Sequence, residues 1–267
     1  MTDTTVSSRR RREAFPPNWP MRLGIAALAA YVVYAASIIE LNWQRFATGL
    51  DQGGRFVMRM LPPDLASDKL ELLHQGMLES LQIAIIATAV GILMSLPLGL
   101  AAARNLSPLP LAWTARTLIV LCRTFHPVII AILFVKAVGF GALAGVLALI
   151  VASVGFLSKL IGEAVEEISM QPVEGVRATG ASFPSLVVMA VLPQIMPRFI
   201  GFSAYQLDSN LRNSALVGLV GGGGIGATLF TAFQRFDFDF VLTIVLAIIA
   251  VIMVGEFLSG RMRRLFQ

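Results

Sequence analysis

Six stretches of the chain are each long and apolar enough to cross a lipid bilayer as a helix, which takes about 20 residues. They cover residues 23–41, 77–103, 117–138, 141–161, 195–220 and 240–259. A helix satisfies its backbone hydrogen bonds internally, and hydrocarbon demands this because it contains no water. The sequence therefore predicts an all-α polytopic membrane bundle of about six transmembrane helices.

Composition excludes several other classes of protein. Apolar residues make up 56% of the 267 residues and charged residues 14%, against about 25% charged residues in soluble domains. The one cysteine, Cys122, excludes an intrachain disulfide and a multi-cysteine metal site. Two distant histidines, His74 and His126, are too few for a metal cluster. No nucleophile has a base at a motif spacing, so we expect no catalytic residue, metal or cofactor in this chain.

Lysine and arginine residues outside the spans predict the orientation in the membrane. With both termini in the cytoplasm, thirteen of them lie on the cytoplasmic side and six on the outer side. The basic run at residues 9–12 is interpreted as a topology determinant that contacts anionic lipid, and not as a nucleic-acid site. The predicted segments are a basic tail over 1–22, the first span with an outer loop over 23–76, the core of five further spans over 77–260 and a second basic tail over 261–267.

The outer loop, residues 42–74, is longer than a simple connection requires. It holds a short amphipathic stretch at residues 55–60, which Pro62 and Pro63 then interrupt. An amphipathic segment between two spans favours the boundary between headgroups and acyl chains. We therefore expect this loop to lie on the membrane surface.

The inner loop, residues 162–196, is predicted to divide into helices and breaks. The fourth helix continues beyond the membrane through three acidic residues, Glu163, Glu166 and Glu167. Pro172 predicts a break and the first residue of a short new helix, and Gly180 predicts its left-handed stop. A further helix is predicted to begin at Ser182 and to end at Leu192-Pro193.

This inner loop resembles the signature loop of ABC-importer permeases. That signature reads Glu-Ala-Ala, three residues, Gly, nine residues and then Ile-x-Leu-Pro. Glu174 and Gly180 stand at its glutamate and glycine positions, and Leu192-Pro193 stands at its Leu-Pro. The positions that depart from the pattern are Gly175, Val176 and Ala190.

Four separated segments, in the same order along the chain, resemble the phosphonate-importer branch of these permeases. They are RFVMRMLPPD, LSKLIGEAVEEI, PVEGVRATGAS and SNLRNSALVGLVGGGGIG. The resemblance covers residues 45–265. It implies a type I permease core that translocates phosphonate or a related phosphorus oxyanion across the bacterial plasma (inner) membrane by alternating access.

The resemblance also implies partners. The permease would pair with a second permease subunit, as a homodimer or with a similar second chain. The pair would sit on two ATP-binding cassette subunits that carry ATP and Mg²⁺. A periplasmic or lipid-anchored phosphonate-binding protein would dock outside, and the short inner-loop helix would couple the permease to the ATPase. The implied coupling residues are Glu174, Gly175, Arg177, Ala178, Thr179, Gly180, Leu192 and Pro193.

Other functions stay open at this point. The importer could carry another small solute, and the inner-loop helix could be an interfacial helix without a partner. An ATP-independent secondary transporter would show related broken helices in its two halves, which the sequence lacks. A channel would conduct without ATP.

Polar residues inside the spans are candidates for the translocation pathway, because such residues usually face a cavity or a partner. Arg123 and His126 are three residues apart, which predicts one helix face that attracts anions or forms a structural pair. In the fifth span, Asp208 and Arg212 have the spacing of an intrahelical ion pair. The fifth-span pathway candidates are Asn210, Arg212, Asn213 and Ser214.

A glycine-rich run at residues 218–226 follows the fifth span. It is not a P-loop, because no Gly-Lys-Ser/Thr follows, and no strand precedes it as in a Rossmann turn. Glycines allow tight turns and close helix packing, so we expect a bend into a gate-like loop, with a packing turn as the alternative. The gate candidates are Gly221, Gly222, Gly223, Gly224 and Gly226.

Overall fold

The computed structural model of the chain describes residues 19–38 and 43–266, and every regular element within them is a helix. The chain divides into two compact units, Met1–Val57 and Met58–Gln267, which are described separately below. Most of the predicted basic tail over 1–22 lies outside the described residues.

The first unit holds α1, Trp19–Ile38, and most of α2, Trp43–Arg59. α1 is the first predicted span, although it begins earlier, at Trp19, and none of its residues is buried. The end of that prediction, residues 39–41, lies outside the described residues.

α2 is a longer amphipathic helix than the stretch predicted at residues 55–60. Its apolar side carries Trp43, Phe46 and Leu50 at the i, i+3, i+7 spacing of one helix face. Arg55 forms an ion pair with Asp51 one turn earlier. That α2 lies on the membrane surface stays a prediction.

The second unit is a bundle of nine α-helices in its described part. In chain order they are α3 (Ser67–Ala102), α4 (Leu109–Thr124), α5 (Pro127–Val138), α6 (Ala142–Glu166), α7 (Met170–Ala178), α8 (Phe183–Leu186), α9 (Leu192–Leu219), α10 (Ile225–Gln234) and α11 (Phe238–Phe266). Five helical segments of the described chain, α1 included, are long and apolar enough to cross a membrane alone, and six if the bent pair α4–α5 counts as one span.

The predicted third span, residues 117–138, is two helices that meet at 89°. Pro127 starts α5, because it has no N–H to donate and its ring clashes with a preceding helical turn. His126, the residue before this proline, is extended. The expectation that Arg123 and His126 share one helix face is therefore wrong, because the break lies between them.

The predicted helix break at Leu192-Pro193 is also wrong. A π-helical turn, Val187–Val191, joins α8 to α9, so that one segment runs from Phe183 to Leu219. The N–H of Leu192 bonds to the carbonyl of Val187, five residues back, and this wider turn accommodates the proline. The 37-residue segment spans about 55 Å at 1.5 Å per residue. It exceeds the bilayer core of about 30 Å and must project from it.

α3 and α6 pack closely because small residues line their contact. A Cβ on Gly91 would lie 2.5 Å from Cβ of Ser153, and one on Gly99 would lie 2.7 Å from the Ile161 side chain. The Ser158 hydroxyl donates to the carbonyl of Ser95 across the same contact at 3.3 Å. Small residues let helix backbones approach in a membrane, where van der Waals packing drives association.

Lys69 joins two loops at the start of α3. Its Nζ lies 2.7 Å from the carboxylate of Asp64 and 2.6 Å from that of Asp237, which precedes α11. The Thr243 hydroxyl also donates to the carbonyl of Asp64 at 2.9 Å. The hydrogen bond from Lys69, and then that from the Ala66 N–H, lowers the pKa of Asp64. The carboxylate is therefore ionised, and this cluster intact, at neutral pH.

The glycine-rich run forms a closely packed turn between α9 and α10, and α10 itself was not predicted. A Cβ on Gly145 of α6 would lie 2.3 Å from the carbonyl oxygen of Gly222, and one on Gly224 would lie 2.4 Å from the Ser80 hydroxyl of α3. That hydroxyl accepts a hydrogen bond from the Ile225 N–H at 2.8 Å. These contacts are those of a packing turn, and a gate role stays a prediction.

We expect Gly218→Ala to lower the free energy of unfolding by about 1–3 kcal/mol, the usual cost of overpacking. Its Cβ would lie 2.4 Å from the carbonyl oxygen of Gly223 and 2.8 Å from Cα of Gly226, and backbone atoms cannot move aside cheaply. Gly201→Ala, in the same helix, is the control, because no atom lies within 4 Å of its Cβ. Thermal unfolding in detergent measures both, and equal melting temperatures would contradict the close packing.

Candidate functional site

A polar cleft of about 240 Å³ opens where α4 ends, between α6 and α9. Its lining residues are Cys122, Arg123, Phe125, Pro127, Ala152, Phe156, Tyr205, Gln206, Ser209 and Asn213. Ser209 lies ten residues before the end of α9, about 15 Å along the helix axis. This distance is about half the thickness of a bilayer core, which is about 30 Å.

Arg123 is the cation of this cleft. It lies in the last turn of α4, where the helix dipole favours a positive charge. No acidic side chain of the described residues lies within ion-pair distance of it, whereas seven other ion pairs occur there. Its charge is therefore free to attract an anion.

Arg212 is placed differently from Arg123. Its guanidinium lies 2.5 Å from Asp208, one turn earlier on α9, as the spacing predicted. Asp208 is only 8% exposed, and its Oδ1 has no hydrogen-bond partner in the described part of the chain. Arg212 thus compensates a buried carboxylate, and it does not line the cleft.

The other predicted pathway residues divide between the cleft and the helix contacts. Asn213 lines the cleft, where its amide donates to the Ser209 hydroxyl at 3.3 Å. Asn210 and Ser214 are fully buried, which favours a structural role for both. His126 caps α5, because its Nδ1 accepts a hydrogen bond from the Val128 N–H at 3.3 Å.

Three polar residues of the cleft were not among the predicted site residues. They are Tyr205, Gln206 and Ser209. Together with Asn213 they recur at the spacing of one helix face along α9. That periodicity was present in the sequence, but it could not show which face of α9 meets Arg123.

The short helix α7 is present, with two differences from its prediction. It begins at Met170, so Pro172 is its third residue and not its first. Glu174 consequently lies in the second turn, where the helix dipole contributes little, since the effect fades within the first turn. Gly180 has φ of 76° and donates its N–H to the carbonyl of Arg177 at 3.0 Å. This is the left-handed stop that the sequence predicted.

α7 has one buried side and one exposed side. Val173 is fully buried in a cluster that includes Val165, Leu186 and Val191. Gln171 and Pro172 are exposed. The predicted coupling residues of this segment are exposed as well; they are Glu174, Gly175, Arg177, Ala178, Thr179 and Gly180.

Two contacts hold the link between α6 and α7 against α9. The side chain of Gln194 accepts from the Ser169 N–H at 3.1 Å and donates to the Ser169 carbonyl at 3.3 Å. Arg198 lies 2.5 Å from Glu167, the residue that ends α6. Of the predicted coupling pair, Leu192 is half-buried against the cluster around Val173 and Pro193 is exposed.

Metal chemistry finds no support in this arrangement. In the described ranges, 19–38 and 43–266, no group of three or more His, Cys, Asp or Glu side chains could hold a metal ion.

A bundle of apolar helices, a cleft that holds Arg123 and a half-exposed short helix are compatible with a membrane transport subunit. Residues 95–267 match the family described as binding-protein-dependent transport system inner membrane component, and the chain belongs to this family. It is an inner-membrane protein with several membrane-spanning helices.

Two relatives extend this similarity. A phosphate-import permease protein of Mycolicibacterium smegmatis is 38% identical over 244 residues, which are 91% of this chain and 46% of that protein. The chain thus spans about half the length of this relative. A phosphite transport system permease protein of Stutzerimonas stutzeri is 35% identical over 256 residues, 95% of this chain and 92% of that protein.

The fold is that of solved importer structures. An inward-facing structure of the MetNI methionine ABC transporter has a chain that aligns with a TM-score of 0.67. The alignment covers 76% of this chain and all of that chain, at 22% sequence identity. This similarity concerns the fold alone.

We expect Arg123→Gln to leave the amount of protein in the membrane unchanged and to lower anion uptake about tenfold, a loss in the range of one charge-assisted hydrogen bond. Arg212→Gln is the contrasting variant, because it leaves the buried carboxylate of Asp208 unpaired. It should lower the amount of folded protein, and Asp208→Asn in addition should restore it. Immunoblots of membranes and uptake of labelled anion measure both. Loss of Arg123→Gln from the membrane would assign Arg123 a structural role.

Proposed function

We propose that this chain is the translocation subunit of an ATP-driven importer for phosphonate or a related phosphorus oxyanion. The observation that carries the proposal is Arg123, a cation without an ion-pair partner among the described residues, in a cleft with hydroxyl and amide groups. Such groups suit a small oxyanion. The names of the two relatives, a phosphate-import and a phosphite transport permease protein, support this chemistry.

The proposed complex contains two permeases, with two ATP-binding subunits on the cytoplasmic side and a binding protein outside. This chain holds no nucleotide, and ATP and Mg²⁺ belong to the partner ATPase. The exposed side of α7, from Glu174 to Gly180, is the coupling surface for that ATPase. A homodimer is the simplest pairing.

The geometry supports a rigid mechanical link in this complex. α7 is anchored through Val173, and the link that precedes it is held against α9 by Gln194 and Arg198. α9 in turn carries Gln206, Ser209 and Asn213 into the cleft. Closure of the ATPases would displace α7 as a rigid body and rotate α9 with it. The permease then has two conformations, one with the ATPases open and one with them closed, and the cleft faces a different side of the membrane in each.

Uptake by the reconstituted complex tests the proposal. The permease, its ATPase and its binding protein are placed in liposomes, and ATP-driven uptake of methylphosphonate, phosphite and phosphate is measured beside methionine. We expect uptake of at least one phosphorus oxyanion and none of methionine. Uptake of methionine alone would contradict the proposed substrate class. Uptake without ATP would contradict the proposal that transport is ATP-driven.

We expect Gly180→Asp to insert into the membrane normally and to lose its ATPase. A side chain at this left-handed position costs about 1 kcal/mol, and it adds bulk and charge to the proposed coupling surface. Gly180→Ala has nearly the same backbone strain with little bulk, so it should retain more of the ATPase. Co-purification and substrate-stimulated ATP hydrolysis are measured. Full retention of both by Gly180→Asp would contradict the coupling assignment.

A further inference from the structure

Four buried polar side chains connect α3, α6 and α9 directly behind the cleft. The amide of Asn210 donates to the hydroxyls of Thr88 at 2.9 Å and Ser153 at 2.8 Å. The amide of Gln206 donates to the Ser153 hydroxyl and to Oδ1 of Asn210, both at 3.0 Å. The two hydroxyls donate to carbonyls of their own helices, Thr88 to Ala84 and Ser153 to Leu149. These four side chains are called the amide network below.

Counting donors fixes the orientation of both amides. In the arrangement above, each of the six polar hydrogens of the amide network has an acceptor. In the alternative arrangement, the oxygen and nitrogen of both side-chain amides exchange places. The amide nitrogen of Asn210 would then carry two hydrogens but face a single acceptor, Oε1 of Gln206, and one buried donor would stay unpaired. An unpaired buried donor costs about 1–3 kcal/mol. Only the first arrangement satisfies all donors.

In this orientation one polar atom of Gln206, its Oε1 carbonyl oxygen, has no hydrogen-bond partner among the described residues. Both Nε2 hydrogens point into the amide network, so the Oε1 carbonyl has no partner among the described residues. Oε1 is also accessible from outside the helix contacts. Only two side-chain atoms of the described residues are both fully buried and without a partner, Oδ1 of Asn105 and Oδ1 of Asp208, and Oε1 of Gln206 is not one of them. Gln206 lines the cleft that holds Arg123. The cleft therefore presents a fixed hydrogen-bond acceptor as well as a cation.

We propose that Gln206 is a specificity residue, which favours oxyanions that carry an O–H group beside an ionised oxygen. The ionised oxygen would bind Arg123, and the P–OH would donate to Oε1 of Gln206. An anion without an O–H would direct an oxygen lone pair at that carbonyl, which is repulsive. Asn210 and Ser153 are positioning residues, because they hold the amide of Gln206. This proposal rests on the proposed function of the cleft.

Two anions of similar size separate this role from a structural one. Phosphite, buffered below its second pKa, carries one P–OH, whereas the hypophosphite anion carries none. Uptake of each is measured with the complete complex in liposomes, at saturating binding protein, and expressed as the ratio of phosphite to hypophosphite. Both uptakes of a ratio are measured on one preparation, so the amount of folded permease cancels from the ratio of phosphite to hypophosphite uptake. The same binding protein serves wild type and variant, so its own preference affects both ratios equally.

We expect Gln206→Met to lower the ratio about fivefold, the effect of one net hydrogen bond. Ser95→Ala is the matched control, because it removes a buried hydroxyl of α3 that belongs neither to the amide network nor to the lining of the cleft. It should leave the ratio unchanged even where it reduces the uptake of both anions. A ratio unchanged in Gln206→Met, or lowered equally in Ser95→Ala, overturns the specificity role while the proposed function stands. Wild type that takes up no phosphorus oxyanion at all, methylphosphonate and phosphate included, overturns both.

Discussion

The close approach of α3 to α6 is the contact on which the rest of the bundle depends. Gly91 and Gly99 have no side chains, so the two backbones meet at distances that any Cβ would prevent. In lipid there is little hydrophobic gain from pairing helices, and close packing has to supply the stability instead. The same approach brings Thr88 and Ser153 near enough for Asn210 to bond both. Close packing of α3 on α6 thus permits the amide network.

That network explains how a polar cleft can exist inside an apolar protein. A polar group in hydrocarbon is costly unless it is hydrogen-bonded. Behind the cleft all donors of the amide network are satisfied within the protein, and Asp208 receives Arg212. At the cleft, Arg123 has no acidic partner within ion-pair distance among the described residues. Its charge is therefore available to a polar or anionic molecule that enters the cleft.

α9 connects the cleft to the α7 surface. The segment from Phe183 to Leu219 is longer than a bilayer is thick, so its first part projects and carries the contacts of Gln194 and Arg198 to the link that precedes α7. The π-helical turn and Pro193 come before Gln194 in this segment. From Gln194 to the cleft residues, α9 is therefore one continuous α-helix. A continuous helix is suited to transmitting motion between these two places.

The sequence alone predicted the apolar membrane spans, the all-α fold class and the left-handed stop at Gly180. These features depend on local properties, namely the length of apolar segments, the missing N–H of proline and the conformational freedom of glycine. The intrahelical pair of Asp208 and Arg212 followed for the same reason. The face of α9 that meets Arg123 did not, since it depends on how three helices rotate about their axes. The burial of Asn210 was likewise decided by tertiary packing, because its partners Thr88 and Ser153 lie far away in the chain. The break at His126 and the π-helical turn before Pro193 are local features beside prolines, and the sequence pattern was interpreted wrongly there.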